Sequence, residues 1–214
     1  MSKLSEDKKN KEASEDLLSM MSMAMDKPEM RIMAIYGDIN EERCAEAVYG
    51  LLSLDSTSRS YVTENKGEKN EQVIEVTEPI EFYISSYGGQ ATEMFAVYDL
   101  MRDIRERTPV ITHGLGKVMS AGVLLLAAGT KGQRRIGKNC RVMIHGVVAG
   151  QHGHIADIEN EFTEVKSTQK MYVEALAEET DMTQKYIKKL MDKKTNVYLD
   201  ADEAVNLGIA DIIV

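Results

Sequence analysis

Gly116–Gly129 reads GKVMSAGVLLLAAG, with one serine, Ser120, between small-residue turns and an apolar run. The run predicts a closely packed helix, ended by Gly129 as a glycine just past its C-terminus. A serine at a helix start is commonly a cap. It also sits in positive potential, beside backbone N–H groups that have no partner inside the helix. From this stretch alone Ser120 reads either as a structural cap or as a nucleophile.

Working outward, PVIT (Pro109–Thr112) reads as a strand closed by HGLG, and RRIG and RVMIH read as short strands after the helix. Upstream, MRIMAIYG (Met30–Gly37) is a buried strand. Asn40 stands at an N-cap position with Glu41 and Glu42 in the first turn, and Ala45, Val48, Leu51, Leu52 and Leu54 follow at helical spacing. Residues 55–71 are polar and read as a long loop. QVIEV and IEFYIS read as two strands, and YISSYGG runs into a helix from near Gln90. Downstream, a glycine-rich turn, GVVAGQHGH, precedes the longest helix, Ile155 to Glu179. Thr183 opens another that stops near Lys193. DADEAVNLGIADIIV supplies a capped helix and a last strand. Strands alternating with helices give an α/β domain with a largely parallel sheet.

The chain of 214 residues, 43% hydrophobic, suits one core. Residues 1–28 are expected to be a flexible N-terminal arm, with one domain over 29–214. A net charge of −9 argues against a nucleic-acid partner. No apolar run reaches the roughly 18–20 residues that span a bilayer, and no leader is apparent, so the expectation is a cytoplasmic protein without membrane contact. Cys44 and Cys140 lack the spacing of a redox or zinc motif. The four histidines, His113, His145, His152 and His154, lack metal-ligand spacing, and neither phosphate-loop motif is present. No metal and no cofactor are expected.

A nucleophilic serine needs a base. His145, at the end of an apolar strand, is the most rigidly placed histidine; Lys117, three residues before Ser120, is the competing base. Among 35 acids, Asp192 is one plausible orienting carboxylate. The Gly88-Gly89 turn could present N–H groups to an oxyanion, bind a phosphate, or be only a tight turn.

The ordered set YISSYGG, GKVMSAGVLLLAAGTKGQRRIGKNCRVMIH, ALAEETD and YLDADEAVNLGIAD resembles the Clp protease proteolytic subunit (ClpP) family, from about Arg31 to Ile212. The resemblance implies a crotonase/ClpP-like fold of repeated β-β-α units, with a mainly parallel sheet and a protruding handle at about 146–179. It implies a self-compartmentalising serine endopeptidase acting on unfolded polypeptides. The implied roles are Ser120 as nucleophile, His145 as base, Asp192 as orienting carboxylate, and the N–H groups of Gly89 and Ala121 as the oxyanion hole. It further implies a homo-oligomer of two stacked heptameric rings, a tetradecamer, working with an AAA+ unfoldase that would carry the ATP. Tyr87 stands where the family commonly has proline, Ala121 where it commonly has methionine, and Met191 where it often has an arginine directly before the aspartate. These departures motivate an alternative, a catalytically inactive ring subunit of structural or regulatory role.

Overall fold

The structure, a computed structural model, describes residues 30–65, 72–150, 152–192 and 195–214. The expected N-terminal arm lies outside the described residues. Strand β1 (Ile32–Ile39) leads to helix α1 (Glu41–Ser56), which Asn40 caps by accepting a hydrogen bond from the Arg43 N–H. Then come β2 (Arg59–Glu64), β3 (Gln72–Thr77), β4 (Ile80–Gly89), α2 (Ala91–Arg105), β5 (Val110–Met119) and α3 (Ala121–Ala127). The chain closes with β6 (Arg135–Ile136), β7 (Arg141–Ile144), α4 (Ile155–Glu179), α5 (Gln184–Met191), β8 (Val197–Leu199), α6 (Ala201–Asn206) and β9 (Ile212–Ile213).

Among the described residues, seven strands form one sheet in the order β1-β4-β5-β6-β9, with β7 also paired to β5 and β8 to β7. Every pairing is parallel except β7–β8. Parallel sheets survive when both faces are covered. Here Phe82 and Ile84 of β4 are fully buried, as are Val97 and Met101 of α2 and Leu124 to Leu126 of α3. Helix α3 is buried all round, which explains why its sequence carries no polar stripe.

The sequence reading changes at three places. Residues 55–71 are not all loop: β2 pairs antiparallel with β3 from Arg59↔Thr77 to Glu64↔Gln72. A polar composition hid the strand, because pairing with QVIEVT rather than burial stabilises it. The PVIT strand is not closed by HGLG. Lys117, Val118 and Met119 pair with Arg141, Val142 and Met143, so β5 runs on to the residue before Ser120. The segment between the Thr183 helix and DADEAVNLGIADIIV, given no element above, holds the short strand β8.

A buried ionic network ties the end of α4 to the core. Glu179 takes two hydrogen bonds from the Arg105 guanidinium, at 2.7 and 2.8 Å, and one from the Tyr98 hydroxyl at 3.1 Å. Arg134 donates to the Glu179 carbonyl at 2.7 Å and to the Asp211 carboxylate at 2.8 Å. Burial opposes ionisation of Asp211, but the Arg134 bonds prevail and hold its pKa below the usual carboxylate value. Among the described residues no helix is long and apolar enough to cross a membrane.

Candidate active site

A single residue, Ser120, separates β5 from α3. Its backbone lies at φ 52° and ψ −121°, a region disfavoured for a residue with a Cβ. Three elements hold it there. Its N–H donates to the Met143 carbonyl of β7 at 2.8 Å. Its carbonyl accepts from the Val123 N–H at 3.0 Å and from the Tyr172 hydroxyl of α4 at 3.0 Å. Burial pushes the Tyr172 phenol pKa up, so that hydroxyl stays a donor. Strained backbone of this kind persists where its surroundings over-determine it, and strand-to-helix elbows that expose a nucleophile are one such place.

The Ser120 side chain makes no capping bond. Its Oγ lies 2.8 Å from Nε2 of His145 instead. His145 directly follows β7 and is half-buried, so the strand pairing that anchors the Ser120 N–H also fixes the histidine.

The Gly88-Gly89 turn closes the other side. Gly88 has φ 100°, and a Cβ there would stand 2.6 Å from the Ser120 Cβ and 2.9 Å from the Met119 carbonyl oxygen. A Cβ on Gly89 would run into the Ile39 carbonyl. Glycine is required at both positions because β4 approaches the Ser120 turn and β1 this closely. Ala121 is the first residue of α3, and its N–H has no acceptor within the helix. Ser120, His145, Gly89 and Ala121 line one cleft of about 690 Å³, with Asp38, Tyr87 and Tyr172 on its walls.

Tyr87 is exposed, and the Lys117 ammonium stands 4.5 Å from its ring centroid and 5.1 Å from that of Tyr36. Lys117 is thus engaged by two aromatic rings, and among the described residues it makes no hydrogen bond to Ser120.

Asp192 is placed differently. It ends α5, its backbone N–H donating to the Lys188 carbonyl at 2.8 Å, and its side chain is exposed. It borders a second cleft of about 380 Å³ that His145 also lines, together with Gln169, Thr195 and Asn196. Among the described residues no hydrogen bond joins Asp192 to His145. Asn196, which the sequence reading passed over, borders this cleft next to β8. Its signal was the β-forming Val-Tyr-Leu that follows it, and its position relative to His145 follows only from the β7–β8 register.

The other histidines lie apart from this site. His113 is buried on β5, stacked on Tyr83 at 4.2 Å with its Nε2 3.3 Å from a Glu81 carboxylate oxygen. His152 and His154 are exposed in the turn before α4. Among the described residues no group of three or more His, Cys, Asp or Glu could hold a metal ion.

Residues 71–214 match the family described as Clp protease. The chain belongs to the Clp protease family. It is 32% identical over 205 residues to the ATP-dependent Clp protease proteolytic subunit 2 of Treponema denticola, covering 95% of this chain and 89% of that one. It is 31% identical over 185 residues to the protein of the same name from Prochlorococcus marinus, covering 86% of this chain and 82% of that one. The mixed α/β fold with its mainly parallel sheet agrees with membership of the Clp protease family.

Proposed function

We propose that this Clp protease family member is a serine-type endopeptidase in which Ser120 attacks the peptide carbonyl and His145 takes its proton. The observation that carries the reading is the 2.8 Å contact between Ser120 Oγ and His145 Nε2 at a strained one-residue elbow inside a cleft. A free serine hydroxyl is a weak nucleophile, and a hydrogen-bonded imidazole is what activates it. As the tetrahedral intermediate forms, its oxyanion takes hydrogen bonds from the N–H groups of Gly89 and Ala121. One such donor is worth about 10²–10³ in rate. His145 returns the proton to the leaving amine, and water releases the acyl group from Ser120.

The names of the relatives, proteolytic subunits of an ATP-dependent protease, support a division of labour. On this reading the chain cuts polypeptides inside a homo-oligomer of two stacked heptameric rings, and an AAA+ unfoldase of the Clp type supplies ATP hydrolysis. Hydrolysis of a fluorogenic peptide by the purified assembly tests the activity. Turnover abolished by Ser120→Ala is the expected result. An assembled protein without turnover would favour the inactive ring subunit.

A further inference from the structure

We infer that Asn196, rather than Asp192, orients the His145 imidazole, its side-chain carbonyl accepting the Nδ1–H of the ring. The inference rests on the peptidase reading of Ser120 and His145 and names the positioning residue that reading requires.

The backbone register leads to it. Strands β7 and β8 run antiparallel with Val142↔Leu199, Met143↔Tyr198 and Ile144↔Val197. One step beyond the last pair, His145 stands opposite Asn196. Opposed residues of an antiparallel pair project to the same face, with Cβ atoms roughly 4.5–5.5 Å apart. The sheet therefore brings Asn196 to one side of the ring, as the β5–α3 elbow brings Ser120 to the other.

Hydrogen bonding agrees. The imidazole uses Nε2 toward Ser120, and among the described residues its Nδ1 has no partner. Asn196 makes one long contact, from Nδ2 to the Tyr198 hydroxyl at 3.5 Å, and its Oδ1 accepts nothing among the described residues. Both residues border the same cleft. An amide oxygen can only accept, so a bond to Nδ1–H selects the tautomer with Nε2 free to take the serine proton. Asp192, by contrast, is exposed and also borders a surface with Lys185, Lys188 and Lys189, where water and ammonium groups solvate a carboxylate.

A neutral amide fixes the tautomer but adds no charge opposite the imidazolium that forms during attack. Cys-His-Asn peptidases use such an amide, whereas Ser-His-Asp enzymes use a carboxylate. The other ionisable groups bordering the two clefts are Asp38 of β1, Tyr87 of β4, Tyr172 of α4 and Asp192.

The test measures kcat and KM against pH for a fluorogenic peptide, using the full-length protein. Asn196→Ala lowers kcat about 10- to 100-fold with little change in KM, the signature of lost positioning. Asn196→Asp keeps or raises kcat and moves the acid limb of the profile up by about one pH unit, because a nearby carboxylate favours the protonated ring. Asp192→Ala stays within about twofold with an unmoved profile. A collapse in Asp192→Ala with Asn196→Ala unchanged overturns the inference. Where Asn196→Ala fails to fold, the near-isosteric Asn196→Asp still decides, and an unmoved acid limb counts against it. A crystal structure reads the inference without turnover: His145 Nδ1 within about 3.2 Å of Asn196 Oδ1 supports it, and Nδ1 bonded to Asp192 overturns it. A protein that cleaves no peptide yet shows the Asn196 bond defeats the peptidase reading and leaves the positioning assignment standing.

Discussion

The two sides of the His145 ring are built differently. On the Nε2 side, Ser120 is held by β7 through its N–H, by α3 and Tyr172 through its carbonyl, and by the close approach of Gly88. The cleft that Asn196 borders is held by fewer and longer contacts: Gln169 accepts from the Val147 N–H at 3.1 Å, and Asn196 Nδ2 donates to the Tyr198 hydroxyl at 3.5 Å. The difference teaches where rigidity was needed. Ser120 must keep a disfavoured backbone geometry against relaxation, which takes several simultaneous bonds. The ring needs only one acceptor to choose its tautomer, and a side chain at a strand end supplies it.

Substitutions can break that comparison in order of expected effect. Ser120→Ala removes the proposed nucleophile and is expected to lower kcat by about 10⁴-fold or more in a peptide assay. Gly88→Ala forces a Cβ against Ser120 at a positive φ. It displaces the elbow and costs about 10²-fold in kcat, with assembly checked by light scattering. Tyr172→Phe deletes a buried donor to the Ser120 carbonyl and costs about 1–2 kcal/mol in urea unfolding. Gln169→Ala in the cleft that Asn196 borders costs less, about 0.5 kcal/mol or below. Equal costs for Tyr172→Phe and Gln169→Ala would erase the contrast.

The smallest effect separates the pH response of the fold from that of the site. Burial lowers the His113 pKa, with Arg135 adding to the shift and Glu81 opposing it. The unfolded chain then binds the proton more readily. The neutral ring's contribution is present above the ordinary histidine value and lost as pH falls through the lowered one. His113→Asn should flatten thermal stability against pH below about 6.5. An unchanged slope would remove His113 as its source.

Much of this architecture was legible in the sequence. Apolar periodicity and turn glycines marked β1, α1, β4 and α2, and the quoted motifs pointed to Ser120 and His145. What escaped depended on pairing. Val197–Leu199 is too short to show a period of its own and becomes a strand because β7 lies beside it. The β2 strand is polar and depends on β3. The residues alone could not select one of 35 acids, and the family resemblance pointed to Asp192, whereas the register that aligns Asn196 with His145 exists only once the sheet is assembled. The full length of β5 escaped for the same reason. Lys117 to Met119 are ordinary helix formers, yet β7 claims their backbone.

The central claim is that the Ser120–His145 contact makes Ser120 a nucleophile. Treating the assembled protein with a fluorophosphonate and mapping the adduct by peptide mass spectrometry tests it directly. One adduct per chain is expected, on Ser120, lost in His145→Ala and retained in Lys117→Ala. An assembled protein that carries no adduct on Ser120, or whose labelling survives His145→Ala and disappears in Lys117→Ala, would contradict it.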